Sequence, residues 1–142
     1  IRSSDRFITF QQGKNRGMEN LSIILRDEQK ATGYFYDETL EKQRGAHWFY
    51  NGENPIFFGE GESDSWLRNV YIKNANHAII VGKRGRTHRI SIIDVVIDQY
   101  IGRKSVEDGT DGHMGIKVGD GARNCLVHNV LFTGTWAHEL AV

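Results

Sequence analysis

One short motif returns along this chain, and a returning motif restricts a fold more than any composition does. Arg68-Asn69-Val70-Tyr71-Ile72-Lys73-Asn74, His88-Arg89-Ile90-Ser91-Ile92-Ile93-Asp94 and Arg123-Asn124-Cys125-Leu126-Val127-His128-Asn129 align without gaps. Glu19-Asn20-Leu21-Ser22-Ile23 shares the first half of the motif. Apolar and polar residues alternate in each copy, the period of a strand with one face buried. Val70/Ile72, Ile90/Ile92 and Cys125/Val127 are the expected inward pairs. A second motif links Ala78-Ile79-Ile80-Val81-Gly82 to Gly115-Ile116-Lys117-Val118-Gly119 and, more weakly, to Glu139-Leu140-Ala141-Val142. From Ile116 to Leu140 is 24 residues, the expected length of one repeat.

Such repeats describe a ribbon wound in coils. Each coil carries two or three short strands, and equivalent strands stack in parallel roughly 4.8 Å apart. Asn74, Asp94 and Asn129 close their copies of the motif. Asn and Asp tolerate left-handed backbone, so these three are expected at one bend, stacked as a polar ladder. Composition agrees with strands. Ile and Val number 23, against 7 Leu and 7 Ala, the reverse of a helical bundle. Sixteen glycines punctuate the bends, and a single proline suits strands whose amides are bonded on both sides.

The motifs at 68–72, 78–82 and 115–119, with the Asn/Asp bend, resemble the pectin-lyase-like family of right-handed parallel β-helices. The likeness runs over about residues 67–142, and more loosely over 7–25. It implies an all-β, single-stranded right-handed solenoid of about four to five coils. Residues 1–142 then form one β-helix segment, with insertions at about 26–66 and 99–112. A Greek-key sandwich is the rival fold, but it would not return one motif in one register. The chain starts at Ile1-Arg2 and ends on Leu140-Ala141-Val142, so it is read as part of a longer chain, and the resemblance implies a bacterial protein that is secreted, periplasmic or at the cell surface. Its open ends are then met by the rest of that chain or a neighbouring subunit.

Charge excludes some partners. Eighteen basic residues balance 18 acidic ones, so no general basic field attracts nucleic acid or an anionic membrane. No apolar run reaches the ~20 residues of a membrane span. The single Cys125 excludes an internal disulfide and a cysteine-rich zinc site.

The insertions mark the side where function is expected, because a solenoid tolerates long loops and loops wall binding grooves. Tyr34, Phe35, Tyr36, Trp48 and Tyr50 cluster in the first insertion. Phe35 and Trp48 are assigned to packing. Tyr36 and Tyr50 are candidates to stack on sugar rings. Ile79 and Val81 point inward, so Ile80 points outward, and by the same register so do Lys117 and Ala141. A charged amine between apolar neighbours is a setting that suits a general base.

The resemblance implies a polysaccharide substrate, with an acidic glycan slightly preferred. It makes Lys117 the base, with His113 and Arg86 beside it as catalytic candidates. Arg84 or Arg86 would clamp the substrate carboxylate, and His88 joins Arg84, Tyr36 and Tyr50 as substrate-binding candidates. Asp108 and Asp111 would hold calcium. A hydrolase is the second enzyme reading, because Gly112-His113-Met114-Gly115-Ile116-Lys117 looks like the Gly-His-Gly-Ile stretch of polygalacturonases. That family's paired aspartates are missing: Asn76-His77 stands at the matching place, leaving Glu107, Asp108, Asp111 and Glu139 as the available carboxylates. His128 and His138 are read as surface histidines. A non-catalytic glycan-binding or structural module, as in adhesins and tail spikes, is the alternative from another class.

Overall fold

The structure is a computed structural model that describes residues 6–24, 54–73, 75, 77–82, 86–98, 112–119, 121–134 and 136–142. Among them there is no helix, and every strand pairing is parallel. The strands are β1 (Arg6–Phe10), β2 (Gly17–Ile24), β3 (Asn54–Phe58), β4 (Trp66–Lys73), β5 (His77–Val81), β6 (Ser91–Asp98), β7 (Gly112–Val118), β8 (Leu126–Thr133) and β9 (Trp136–Ala141). Odd-numbered strands form a five-stranded sheet in the order β1-β3-β5-β7-β9. Even-numbered strands form a four-stranded sheet in the order β2-β4-β6-β8. The chain therefore visits the two sheets alternately. Between them, Lys14, Ser63, His88 and Arg123 form a third line of single parallel bridges.

The core fills the inward rows of both sheets. Ile8, Ile56, Ile79, Ile116 and Leu140 share one row, while Ile23, Ile72, Ile97 and Phe132 share another. Ile56, Ile72, Ile79, Ile97 and Ile116 are fully buried. β-Branched side chains fit such a pleated surface, stacked like on like. The alternation breaks at one point in each four-stranded-sheet strand: Leu67 and Val70 are buried, but Arg68 and Asn69 are both exposed. Asn69 adopts φ 50°, and this left-handed residue bends the strand so that two successive side chains face solvent.

Asn20, Asn69, Asp94 and Asn129 all hold this conformation, at φ 50–60°. Asn69 Nδ2 donates to Asn20 Oδ1 at 2.7 Å, and Asn129 Nδ2 donates to Asp94 Oδ1 at 2.6 Å. A polar ladder thus exists, with one member corrected: Asn69 occupies the place expected of Asn74, which lies outside the described residues. Arg68 lies opposite Ile93, five residues from the expected His88. The other alignments hold, His88 with Arg123 and Glu19 with Arg68. Each repeat contains the pattern twice, five residues apart. Arg89 and Asp94 both have positive φ, and each precedes an inward pair, Ile90/Ile92 and Val95/Ile97. The motif at 68–72 resembles the first copy but pairs with the second.

The departures from regular spacing share one corner. Ile56 to Ile79 is 23 residues and Ile116 to Leu140 is 24, whereas Ile8 to Ile56 is 48 and Ile79 to Ile116 is 37. The extra residues, 25–53 and 99–111, each follow a strand of the four-stranded sheet and lead into the five-stranded one, at β3 and β7. Within the expected first insertion, 26–66, the segment Asn54–Phe58, itself a candidate strand in the sequence, forms β3, and Ser63 and Trp66 belong to the line of bridges and to β4.

Candidate functional site

Lys117 lies on β7, half-buried, and its backbone register places it between Ile80 and Ala141. The outward row of the five-stranded sheet reads Thr9, Phe57, Ile80, Lys117, Ala141. Phe57 is only 2% exposed although its neighbours Ile56 and Phe58 belong to the inward rows. The outward face is thus covered at Phe57. His113 is on the same strand as Lys117, four residues earlier, about 13 Å along it. Arg86 is exposed. His88 belongs to the line of bridges, between Ser63 and Arg123, and not to the five-stranded sheet. Arg84, Tyr36, Tyr50, Asp108 and Asp111 lie outside the described residues. Among the described residues, no three His, Cys, Asp or Glu side chains converge as metal ligands.

A cluster that the sequence reading missed stands at the corner from which the insertions leave. Lys73, Asp98 and Thr133 end β4, β6 and β8 and occupy one row. Tyr71 Oη donates to Asp98 Oδ2 at 2.5 Å, Thr133 Oγ1 donates to Asp98 Oδ1 at 2.6 Å, and Lys73 Nζ is 3.0 Å from Asp98 Oδ2. Burial alone would raise the Asp98 pKa, but the bonds from Thr133, Tyr71 and Lys73 outweigh it and hold the carboxyl below its ordinary value. The bond to Asp98 likewise raises the Tyr71 pKa. A carboxylate held ionised is a poor general acid, and it serves better to fix the three cross-strand donors. The signal was present, since Lys73, Asp98 and Thr133 each follow an inward residue, Ile72, Ile97 or Phe132. It is readable only in the corrected register.

Ion pairs cross-link the other outward rows. Arg89 Nε and a second guanidinium nitrogen donate to Asp64 at 2.5 and 2.8 Å, and Arg68 pairs with Glu19 at 3.0 Å. The Arg89 hydrogen bond is the main cause that lowers the Asp64 pKa from 3.8 to about 2. Glu62 is fully buried, paired with Arg16, and accepts from Ser65 Oγ at 2.5 Å and from the Gly13 amide at 3.1 Å. It closes a bend and faces no solvent.

The depressed Asp64 pKa has a sign. Its contribution is fully present above about pH 4 and is lost as pH falls through about 2. In urea titrations from pH 7 to pH 2, Asp64→Asn is expected to lower the midpoint most at the upper end. The difference from wild type should close towards pH 2. A difference that does not depend on pH would contradict the pairing with Arg89.

Comparison with known proteins finds no matching family model, no matching curated protein and no matching solved structure.

Proposed function

We propose that this chain is part of a right-handed parallel β-helix that binds an acidic polysaccharide on the outward face of the five-stranded sheet and cleaves it by β-elimination. The strict alternation of strands between two parallel sheets, with a third line of bridges, supports the winding. One observation carries the choice of face: both insertions lead into the sheet that bears Lys117, at β3 and at β7 itself. Loops that enter one sheet from one corner are placed to wall a groove over it.

In this reading Lys117 takes the proton next to the uronate carboxylate. The electron pair forms the new ring double bond, the glycosidic C–O bond breaks, and the leaving oxygen takes a proton from water. Arg84 and Arg86 hold the carboxylate, and Tyr36 and Tyr50 stack on flanking sugars. Calcium, implied by the family resemblance, would be held by Asp108 and Asp111 and would neutralise the same carboxylate. A secreted or cell-surface location belongs to the same proposal.

Lys117→Ala tests the assignment in assays that read unsaturated-product absorbance and reducing ends in parallel on polygalacturonate. Loss of the proton acceptor should lower turnover by about 10²–10⁴-fold without loss of folding. Unchanged turnover overturns the role of Lys117. Reducing ends without absorbance point to a hydrolase. Binding without either signal identifies a non-catalytic glycan-binding module. That second reading is favoured by the engagement of Glu19, Glu62, Asp64 and Asp98, each already committed to a protein partner.

A further inference from the structure

The two ends of the strand stack are incompletely covered. Val70, Ile72, Val95 and Ile97, on β4 and β6, are at most 2% exposed. Their row neighbours Leu21 and Ile23 on β2, and Val130 and Phe132 on β8, are only half-buried. In the other sheet Ile116 is fully buried, while Leu140, its neighbour on β9, is 47% exposed. The four-stranded sheet ends at β2 and β8 and the five-stranded sheet at β1 and β9, so each end lacks one layer of strands among the described residues. Because all pairing is parallel, the two ends are complementary rather than alike. The outer edge of β8 can pair with the outer edge of a second β2 that runs in the same direction.

The Asn/Asp ladder distinguishes the ends in the same way. In both of its bonds the later strand donates, Asn69 to Asn20 and Asn129 to Asp94. The ladder therefore leaves the Nδ2 donor of Asn20 at one end and the Oδ1 acceptor of Asn129 at the other. A second copy displaced by one further step of the same register sets its Asn20 beside Asn129 and its Glu19 beside His128. The second copy's Asn20 Nδ2 then donates to Asn129 Oδ1 and continues the ladder in its own sense. Its Leu21 and Ile23 cover Val130 and Phe132, and its Ile8 covers Leu140. A like-charge rung opposes the match, with exposed Lys14 set beside exposed Arg123. We propose that this chain associates end to end with copies of itself, β1 and β2 of one copy pairing in parallel with β9 and β8 of the next. The two surfaces differ, so the contact is heterologous and repeats beyond two copies. This association goes beyond glycan cleavage and uses none of the residues assigned to it.

Sedimentation of the full chain over a dilution series, under reducing conditions, is the test. Average mass is expected to rise with concentration from 16.2 kDa to beyond two copies. Asn20→Asp keeps an oxygen for Asn69 and the tolerance of left-handed backbone, but removes the donor offered to the second copy. It should weaken association about fivefold, the worth of one hydrogen bond. Lys14→Glu turns the opposed rung into an ion pair with the second copy's Arg123 and should tighten association about threefold. Thermal unfolding shows whether each variant folds, and either one suffices for the comparison. Lys117→Ala should leave the mass curve unchanged, so failure of the Lys117 reading does not affect this one. A chain that stays monomeric at every concentration, a mass that stops at two copies, or association indifferent to both substitutions overturns the proposal.

Discussion

Ile72→Ala is expected to destabilise the protein by about 2–5 kcal/mol, because truncation at a fully buried site adds a cavity to the lost transfer energy. Ile72 stands between Ile23 and Ile97 in the inward row, so the void opens at the contact between successive repeats. Repeat-built proteins hold together through such nearest-neighbour contacts. Two outcomes in urea are therefore consistent: a lower midpoint at unchanged slope, or a split transition if the repeats uncouple. Ile24 is the control. It lies next to Ile23 on the opposite side of β2 and is 64% exposed, so Ile24→Ala should change stability by no more than about 0.5 kcal/mol. Equal losses from the two substitutions would contradict the inward and outward assignment of these rows.

Gly82→Ala should be comparably damaging, for a different reason. Gly82 has φ +94°, and a Cβ there would overlap the Gly119 carbonyl oxygen and lie 2.9 Å from Ala122 Cβ. Left-handed backbone costs a non-glycine residue roughly 1–2 kcal/mol, and overpacking a tight contact adds roughly 1–3 kcal/mol, about 2–5 kcal/mol together. The neighbouring backbone has little room to give. The Gly82 amide donates to the Phe58 carbonyl at 2.8 Å, and the Gly119 amide donates to the Val81 carbonyl at 3.0 Å. Hydrogen exchange should show these amides opening first in the variant. Protection equal to wild type at Gly82 and Gly119 would contradict the close approach.

The strand content and inward faces were legible in the sequence, because alternation places them without knowledge of the partner strand. Ile79/Val81 with Ile116/Val118 and Ile90/Ile92 with Cys125/Val127 are real equivalents, and both alignments came from short-range pattern alone. The alignment of Arg68 with His88 failed because the repeat imitates itself after five residues. Arg89 and Asp94 each introduce an apolar pair, and both frames preserve alternation. Only the hydrogen-bonded register separates them. The register decides which polar groups touch: Tyr71, Lys73, Asp98 and Thr133 meet as a set only in the observed one.

By itself the sequence determined that this chain is built of β-strands from a repeated unit, that Val70/Ile72, Ile79/Val81, Ile90/Ile92 and Cys125/Val127 face inward, and that Asn and Asp sit at a bend. Those are consequences of local chemistry: side-chain alternation, β-branching and tolerance of left-handed backbone act within a few residues. Only the tertiary structure decided which strand lies beside which, that both insertions leave from one corner, and which polar groups meet across repeats. Those facts depend on residues 23 to 49 positions apart, joined by backbone pairing that looks the same at every rung. A parallel ladder accepts any register whose buried faces agree, and here two registers do. The choice between them belongs to the packing of the whole.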